Sequence, residues 1–212
     1  NLDEIGGNVL VGEHDIMLSE SCEYKGNILK YFPTTAVVLN IDEDHLDYYK
    51  SIYEIEQTFI KFMGNLKSDS TLIINADEPN LIQIKNSAPG KVITFGVYQD
   101  ADFRGVEVTY DESGFAHYKV QYNGESYPVN LPVMGLHNVL NSLAAIATSV
   151  NAGLDIKEVV SAIEHYRPVH QRLEILGERE GVTVMDDYAH HPTEIMASLN
   201  ALKNAHYKRI FC

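Results

Sequence analysis

Three groups of residues in this 212-residue chain have the types and spacing to do chemistry. Met185–Glu194, MDDYAHHPTE, gathers two acids, a tyrosine and two histidines within ten positions. Asp, His and Tyr can hold a metal, move protons or grip a polar ligand, and the string alone leaves all three open. A second group is split along the chain, as SESCEY at 19–24 and NIDEDHLD at 40–47. If these are the ends of neighbouring strands, Glu20 and His45 converge at one rim, where a carboxylate and an imidazole could hold a divalent cation. Magnesium prefers oxygen ligands and retained waters, so a histidine ligand counts against it when taken alone. In the plainer reading, Glu20 and Glu23 are loop acids and His45 caps a helix. Cys22, between the acids, is expected to be a small buried filler rather than a nucleophile.

The third group is His137, Asn138 and Asn141, with Arg167 and Arg172 further on. Asn138 and Asn141 lie three apart, on one face of a helix start, where paired amides can read the edge of a flat heterocycle. They could equally be capping groups in ordinary polar exposure. Arginine suits phosphate through its fork geometry, or a surface ion pair. For MDDYAHHPTE, adjacent His190 and His191 diverge on a helix or strand, and the chain has no H-E-x-x-H or C-x-x-C. A metal cage there loses ground, and His191 reads as a structural side chain.

These groups need elements to position them. Apolar runs at Asp15–Glu20, Thr34–Asn40, Ser70–Ala76 and Lys91–Gly96 read as buried strands. Ser51–Leu66 carries Ile52, Ile55, Phe59, Phe62 and Met63 at helical spacing, and a short helix follows Asp77-Glu-Pro-Asn80. This alternation predicts an α/β fold with a mostly parallel sheet and flanking helices. From Asp102 to Met134 the runs Gly105–Tyr110, Phe115–Tyr122 and Ser126–Leu131, separated by turn residues, predict added antiparallel hairpins. Gly135–Asn151 and Asp155–Tyr166 read as helices, the second opened by a capping box of Asp155 and Glu158. Strands at Leu173–Leu176 and Val182–Met185, a helix from Pro192 to about Lys203, and a new strand at Lys208 complete the pattern. The Pro168–Gln171 region divides the chain into units at 1–168 and 169–212.

Composition narrows the partners. A net charge of -14 repels phosphate backbones, so nucleic acid is excluded as a generic partner. An anionic substrate would need local cations or a bound metal. No apolar run reaches membrane-span length, so membrane insertion is not expected. Two cysteines, Cys22 and Cys212, make no framework pattern, which suits a reducing, cytoplasmic compartment. The start at Asn1 without methionine and the stop just after Lys208 read as cuts in a longer protein.

In order along the chain, SESCEYKGNILKYFPTTAVVLNIDEDHLDYY, GLHNVLNSLAAIA and VTVMDDYAHHPTEI resemble the Mur ligase family. The resemblance runs over nearly the whole chain. It implies most of a central ATPase domain at 1–168, followed by the first part of a Rossmann-like C-terminal domain at 169–212. It also implies ATP and Mg²⁺ as cofactors, with UDP-N-acetylmuramate and L-alanine as substrates in peptidoglycan precursor synthesis. A sister branch of the family recycles a tripeptide and carries D-D-F-A-H-H-P-T-A at the last motif, so Tyr188 and Glu194 favour the alanine branch. The family's phosphate loop, G-T-H-G-K-T-T, does not occur here and is expected before Asn1. This chain alone is therefore expected to be inactive as a ligase.

Carried over position by position, the resemblance makes Glu20 and His45 the Mg²⁺ ligands, which removes the objection to a histidine. It leaves Glu23 a recurring acid without an assigned role. His137, Asn138 and Asn141 resemble the adenine-side motif. Arg172 resembles the arginine that reaches ATP, while Gln171 stands where relatives often have a second one. Asp187 resembles the acid near the nucleotide, and Tyr188 and His190 resemble residues facing the amino acid. Two readings from other classes compete: a metal-dependent hydrolase using Glu20, His45 and Asp47, and a non-catalytic binding module.

Overall fold

A computed structural model describes residues 9–12 and 15–212. Six strands form one sheet whose spatial order follows the chain: β1 (Thr35–Val38), β2 (Thr71–Asn75), β3 (Lys91–Gly96), β4 (Phe103–Tyr110), β5 (Phe115–Tyr122) and β6 (Glu125–Met134). β1 to β4 run parallel, and β4, β5 and β6 pair antiparallel, as the change of texture after Asp102 predicts. Every residue of β2 is buried, which is why it reads as an unbroken apolar run. Its side chains alternate between two cores: Leu72 and Ile74 face one, Ile73 the other.

Helix α1 (Ile52–Met63) covers the first face with α2 (Pro79–Ile84), burying Ile55, Phe62, Met63, Leu81 and Ile84. On the second face lie α3 (Leu136–Asn151) and α4 (Ile156–Ile163), where Val139, Leu143, Ile146 and Ala147 meet Phe95, Phe103 and Val120. Asp155 caps α4 by accepting from Lys157 N at 2.8 Å. The β3–β4 connection is too short for a crossover helix. Asp77 staples it instead, accepting from the amides of Val97, Tyr98 and Gln99 at 2.7, 3.0 and 2.7 Å. A separate two-stranded sheet, β7 (Glu174–Arg179) and β8 (Val182–Asp186), precedes α5 (Pro192–Asn204).

Two expected strands do not form. Asp15–Glu20 enters no ladder, and Ile16, Met17 and Leu18 are 73%, 88% and 89% exposed. Lys208–Cys212 is also unpaired, with Phe211 exposed. Both carry strand-like composition, but a strand exists only when a partner accepts its backbone hydrogen bonds. Among the described residues neither segment has one.

Candidate functional site

The 40–47 loop follows β1 at its carboxyl end, the rim where open α/β sheets bind ligands. His45 sits there in the left-handed region, φ 53°. Such strain in a non-glycine residue persists only where the surroundings enforce it. Its ring lies against Tyr24, centroids 4.6 Å apart, and the Tyr24 hydroxyl donates to Asp47 Oδ2 at 2.8 Å. His45 Nε2 is 3.5 Å from Glu23 Oε1. Glu23 is fixed through its carbonyl, which accepts from Tyr49 Oη at 2.6 Å and Gly26 N at 2.8 Å.

The acids beside His45 are therefore Glu23 and Asp44, whose Oδ1 lies 3.8 Å from His45 Nδ1, rather than Glu20. Glu20 belongs to the unpaired segment and is exposed, and its carbonyl accepts from Ser19 Oγ at 3.2 Å. The strand expected at 15–20 is not formed, and His45 pairs with Glu23 and Asp44 while Glu20 stays exposed beside them in the chain. Spacing could not separate the two acids, because the 3₁₀ turn at Tyr24–Lys30 decides which one turns toward the loop. Cys22 is exposed rather than buried filler, and its sulfur, the Glu23 carboxylate and the His45 imidazole lie within 4.8 Å of one another.

His137, Asn138 and Asn141 open α3 after Gly135, whose φ of 90° and close neighbours suit only glycine. A Cβ on Gly135 would lie 2.7 Å from Ala201 Cβ of α5 and 2.7 Å from His137 Cε1. Asn138 Nδ2 donates to Met134 O at 2.8 Å, and Asn141 Nδ2 reaches Asn138 Oδ1 at 3.4 Å, so part of this amide pair ties the helix start. Burial pushes His137 below its ordinary pKa, opposed by Asp187 and aided by Arg172, so the start of α3 faces the second unit.

In that unit Asp187 is a clamp, accepting from Leu173 N at 3.1 Å, Ala189 N at 2.7 Å and Ser198 Oγ at 3.0 Å. Gln171 Nε2 donates to Asp186 Oδ2 at 3.3 Å and its carbonyl accepts from Tyr188 N at 2.8 Å. Arg172 lies 3.8 Å from Glu194. Burial pulls Glu194 upward, but the His190 and His191 amides, Arg172 and His190 outweigh it and hold the carboxyl below its ordinary value. Tyr188 and His190 are both exposed and meet edge-on with centroids 5.2 Å apart, with His190 Nδ1 3.0 Å from Tyr188 O and 3.6 Å from Glu194 Oε2.

His191 is structural, but with a reach the sequence does not disclose. Its Nδ1 accepts from Thr193 N at 3.3 Å, capping α5, so Nε2 carries the proton and donates to Glu43 O at 2.8 Å. Beside it Thr193 Oγ1 donates to Asp42 Oδ2 at 2.5 Å. That bond holds Asp42 below its ordinary pKa against the opposing effect of burial, with help from the Glu43 amide and His191. The MDDYAHHPTE loop thus docks on the loop that presents His45. Only the adjacency of two histidines could have hinted at it, one for each side of the loop.

A family model described as Mur ligase middle domain matches residues 8–149, and one described as Mur ligase, glutamate ligase domain matches residues 171–212. UDP-N-acetylmuramate–L-alanine ligase of Clostridium acetobutylicum is 42% identical over 213 aligned positions, covering 100% of this chain and 46% of that protein. The enzyme of the same name from Caldanaerobacter subterraneus is 40% identical over 99% of this chain and 46% of its own length. The chain therefore spans about half the length of the curated relatives it matches. Among solved structures, UDP-N-acetylmuramate-alanine ligase of Thermotoga maritima superposes with a TM-score of 0.68 at 29% identity, covering 83% of this chain and 39% of that one. MurF of Acinetobacter baumannii shares the fold, with a TM-score of 0.76 at 22% identity over 85% of this chain and 39% of that one.

Proposed function

The chain belongs to the Mur ligase family, and from that premise we propose that it is the central nucleotide-binding part, with the start of the C-terminal part, of a cytoplasmic ATP-dependent ligase joining L-alanine to the carboxylate of UDP-N-acetylmuramate. The join between the two parts falls near residues 168–169. The observation that carries this reading is the docking of MDDYAHHPTE on the 42–45 loop, which brings the exposed Tyr188 and His190 to the same rim as Glu23 and His45.

In the proposed reaction the muramyl carboxylate takes the γ-phosphoryl of ATP, the alanine amine attacks the acyl phosphate, and phosphate leaves. Two anions must meet on a chain that is itself strongly acidic, so positioning and charge neutralisation dominate the chemistry. Glu23 and His45 fit a divalent cation such as Mg²⁺: an oxygen and a nitrogen donor 3.5 Å apart, with side chains 26% and 31% exposed, leave open positions for water and phosphate. Bound there, the cation would supply the positive charge that lets the phosphate approach. Arg172 and the His137–Asn138–Asn141 face would hold the nucleotide, with Asp187 shaping its surroundings. Tyr188 and His190 would orient the amino acid, and docking of the second unit would exclude water from the acyl phosphate.

The test uses the full-length protein that contains this chain. Phosphate release should require ATP, Mg²⁺, UDP-N-acetylmuramate and L-alanine together, and His45→Ala should lower it at least a hundredfold, a loss of roughly 2.7 kcal/mol. Release driven by a tripeptide rather than L-alanine would transfer the protein to the recycling branch. Turnover without ATP that a chelator abolishes would replace the ligase reading with a hydrolase.

A further inference from the structure

We propose that Cys22, Glu23 and His45 together form a site for a thiophilic divalent cation of the Zn²⁺ or Co²⁺ class. This rests on the reading of Glu23 and His45 as a cation-binding pair and adds to it a third, sulfur ligand.

The ligand set is the first support. One thiol, one carboxylate and one imidazole have their donor atoms within 4.8 Å of one another. Zinc and cobalt take this mixture of S, O and N, whereas magnesium gains little from sulfur or nitrogen. Geometry is the second support. Two ligands about 2.0–2.1 Å from a tetrahedral ion stand about 3.4 Å apart. Glu23 Oε1 and His45 Nε2 are separated by 3.5 Å, close to that spread, and the three donor atoms fall within 4.8 Å, so small side-chain rotations close the set on an ion. Three protein ligands leave a fourth position for water or a phosphate oxygen.

The third support is that the site is held from outside. Tyr49 Oη and Gly26 N pin the Glu23 carbonyl at 2.6 and 2.8 Å. Tyr24 lies tilted against the His45 ring and its amide donates to Cys22 Sγ at 3.4 Å. These contacts orient ligands as outer partners do in metal sites. Cys22 is exposed, so an ion can reach it without unfolding the loop. Because divalent affinity for N, O and S sites rises from manganese towards zinc, such an ion would displace magnesium at far lower concentration.

The experiment is a Co²⁺ titration of the full 212-residue chain, read by optical absorption, with Cys22→Ser, Cys212→Ser and His45→Ala variants. We expect one equivalent to produce a thiolate-to-cobalt charge-transfer band and the visible bands of a four-coordinate ion. The charge-transfer band should vanish in Cys22→Ser, persist in Cys212→Ser, and be bleached by equimolar Zn²⁺ but not by a thousandfold excess of Mg²⁺. Saturable cobalt binding that His45→Ala removes, but without a charge-transfer band, would overturn the sulfur ligand and leave the Glu23–His45 pair standing. A band that survives Cys22→Ser would also overturn the proposal. No saturable binding would overturn both the proposal and the cation-site reading beneath it.

Discussion

His191 Nε2 donates to the backbone carbonyl of Glu43, 2.8 Å away across 148 positions of sequence. A backbone oxygen accepts whatever side chain its residue carries, so the contact depends on the path of the loop and not on the identity of residue 43. With Thr193 and Asp42 alongside, it fixes the second unit to the loop bearing His45.

The combined substitution His191→Ala and Thr193→Val should remove both bonds and weaken the docking by roughly 1–3 kcal/mol. Hydrogen exchange of amides in 171–212 should accelerate while that of β2 and β3 stays as slow as before. Equal protection of 171–212 in both proteins would contradict the docking role.

Acid should loosen the same contact. Asp42 is held below its ordinary value of 3.8, chiefly by the Thr193 hydroxyl, so its contribution is present above that pH and is lost as pH falls through the depressed folded value. Proteolysis between Glu164 and Gln171 with an acid-active protease should speed up over that window. In Asp42→Asn the acceleration should be absent, and its persistence there would assign the effect to another group.

His137 titrates in the opposite sense to a salt-bridged histidine. Burial pushes it below 6.5, so the unfolded chain binds the extra proton first, and stability falls as pH drops from about 6.5 towards the depressed folded value. Denaturant unfolding at a series of pH values should show this slope in the parent and a shallower one in His137→Gln. Parallel slopes would mean that His137 does not carry the dependence.

Gly135→Ala should destabilise by about 1–3 kcal/mol, because φ is 90° and the new methyl would meet Ala201 at 2.7 Å. Adding Ala201→Gly should recover the part due to contact and leave the part due to backbone conformation. Thermal unfolding of the four proteins separates them, and strict additivity would show that the two residues do not meet.

His45→Gly divides strain from ligation. At φ 53° glycine is the less strained residue, so the fold should hold within about 1 kcal/mol, while cobalt or magnesium affinity falls at least tenfold. A variant that binds cations as well as the parent would make His45 a conformational residue only.

Much of the fold is legible in the sequence because its elements carry their own periodicity. The stripe on Ser51–Leu66, the buried run of Ser70–Ala76 and the turn residues after Asp102 each specify an element locally. Asp15–Glu20 and Lys208–Cys212 fail because strand pairing depends on what lies beside a segment, which composition does not contain. The site divides along the same line. His45 is legible from its place after a strand, but Glu23 against Glu20 depends on a half-turn of backbone. Cys22 reads as filler because a buried small residue is its common fate. The reach of His191 was hidden because the loop that receives it lies near the other end of the chain.

Helix α3 sets a timetable for synthesis. Each strand of the large sheet pairs with the one made just before it, so the ladder can extend as the chain leaves the ribosome. Its second face has no such order: Ile73, Phe95, Phe103 and Val120 wait for α3, whose last residue, Asn151, bridges back to Thr71 and Thr35 across 80 and 116 positions. Until that helix emerges, the nascent protein carries a finished sheet with one oily side uncovered. A chain stopped at Met134 should therefore bind hydrophobic dyes and chaperones, and one released after Ile163, with α4 laid beside α3 on that face, should not.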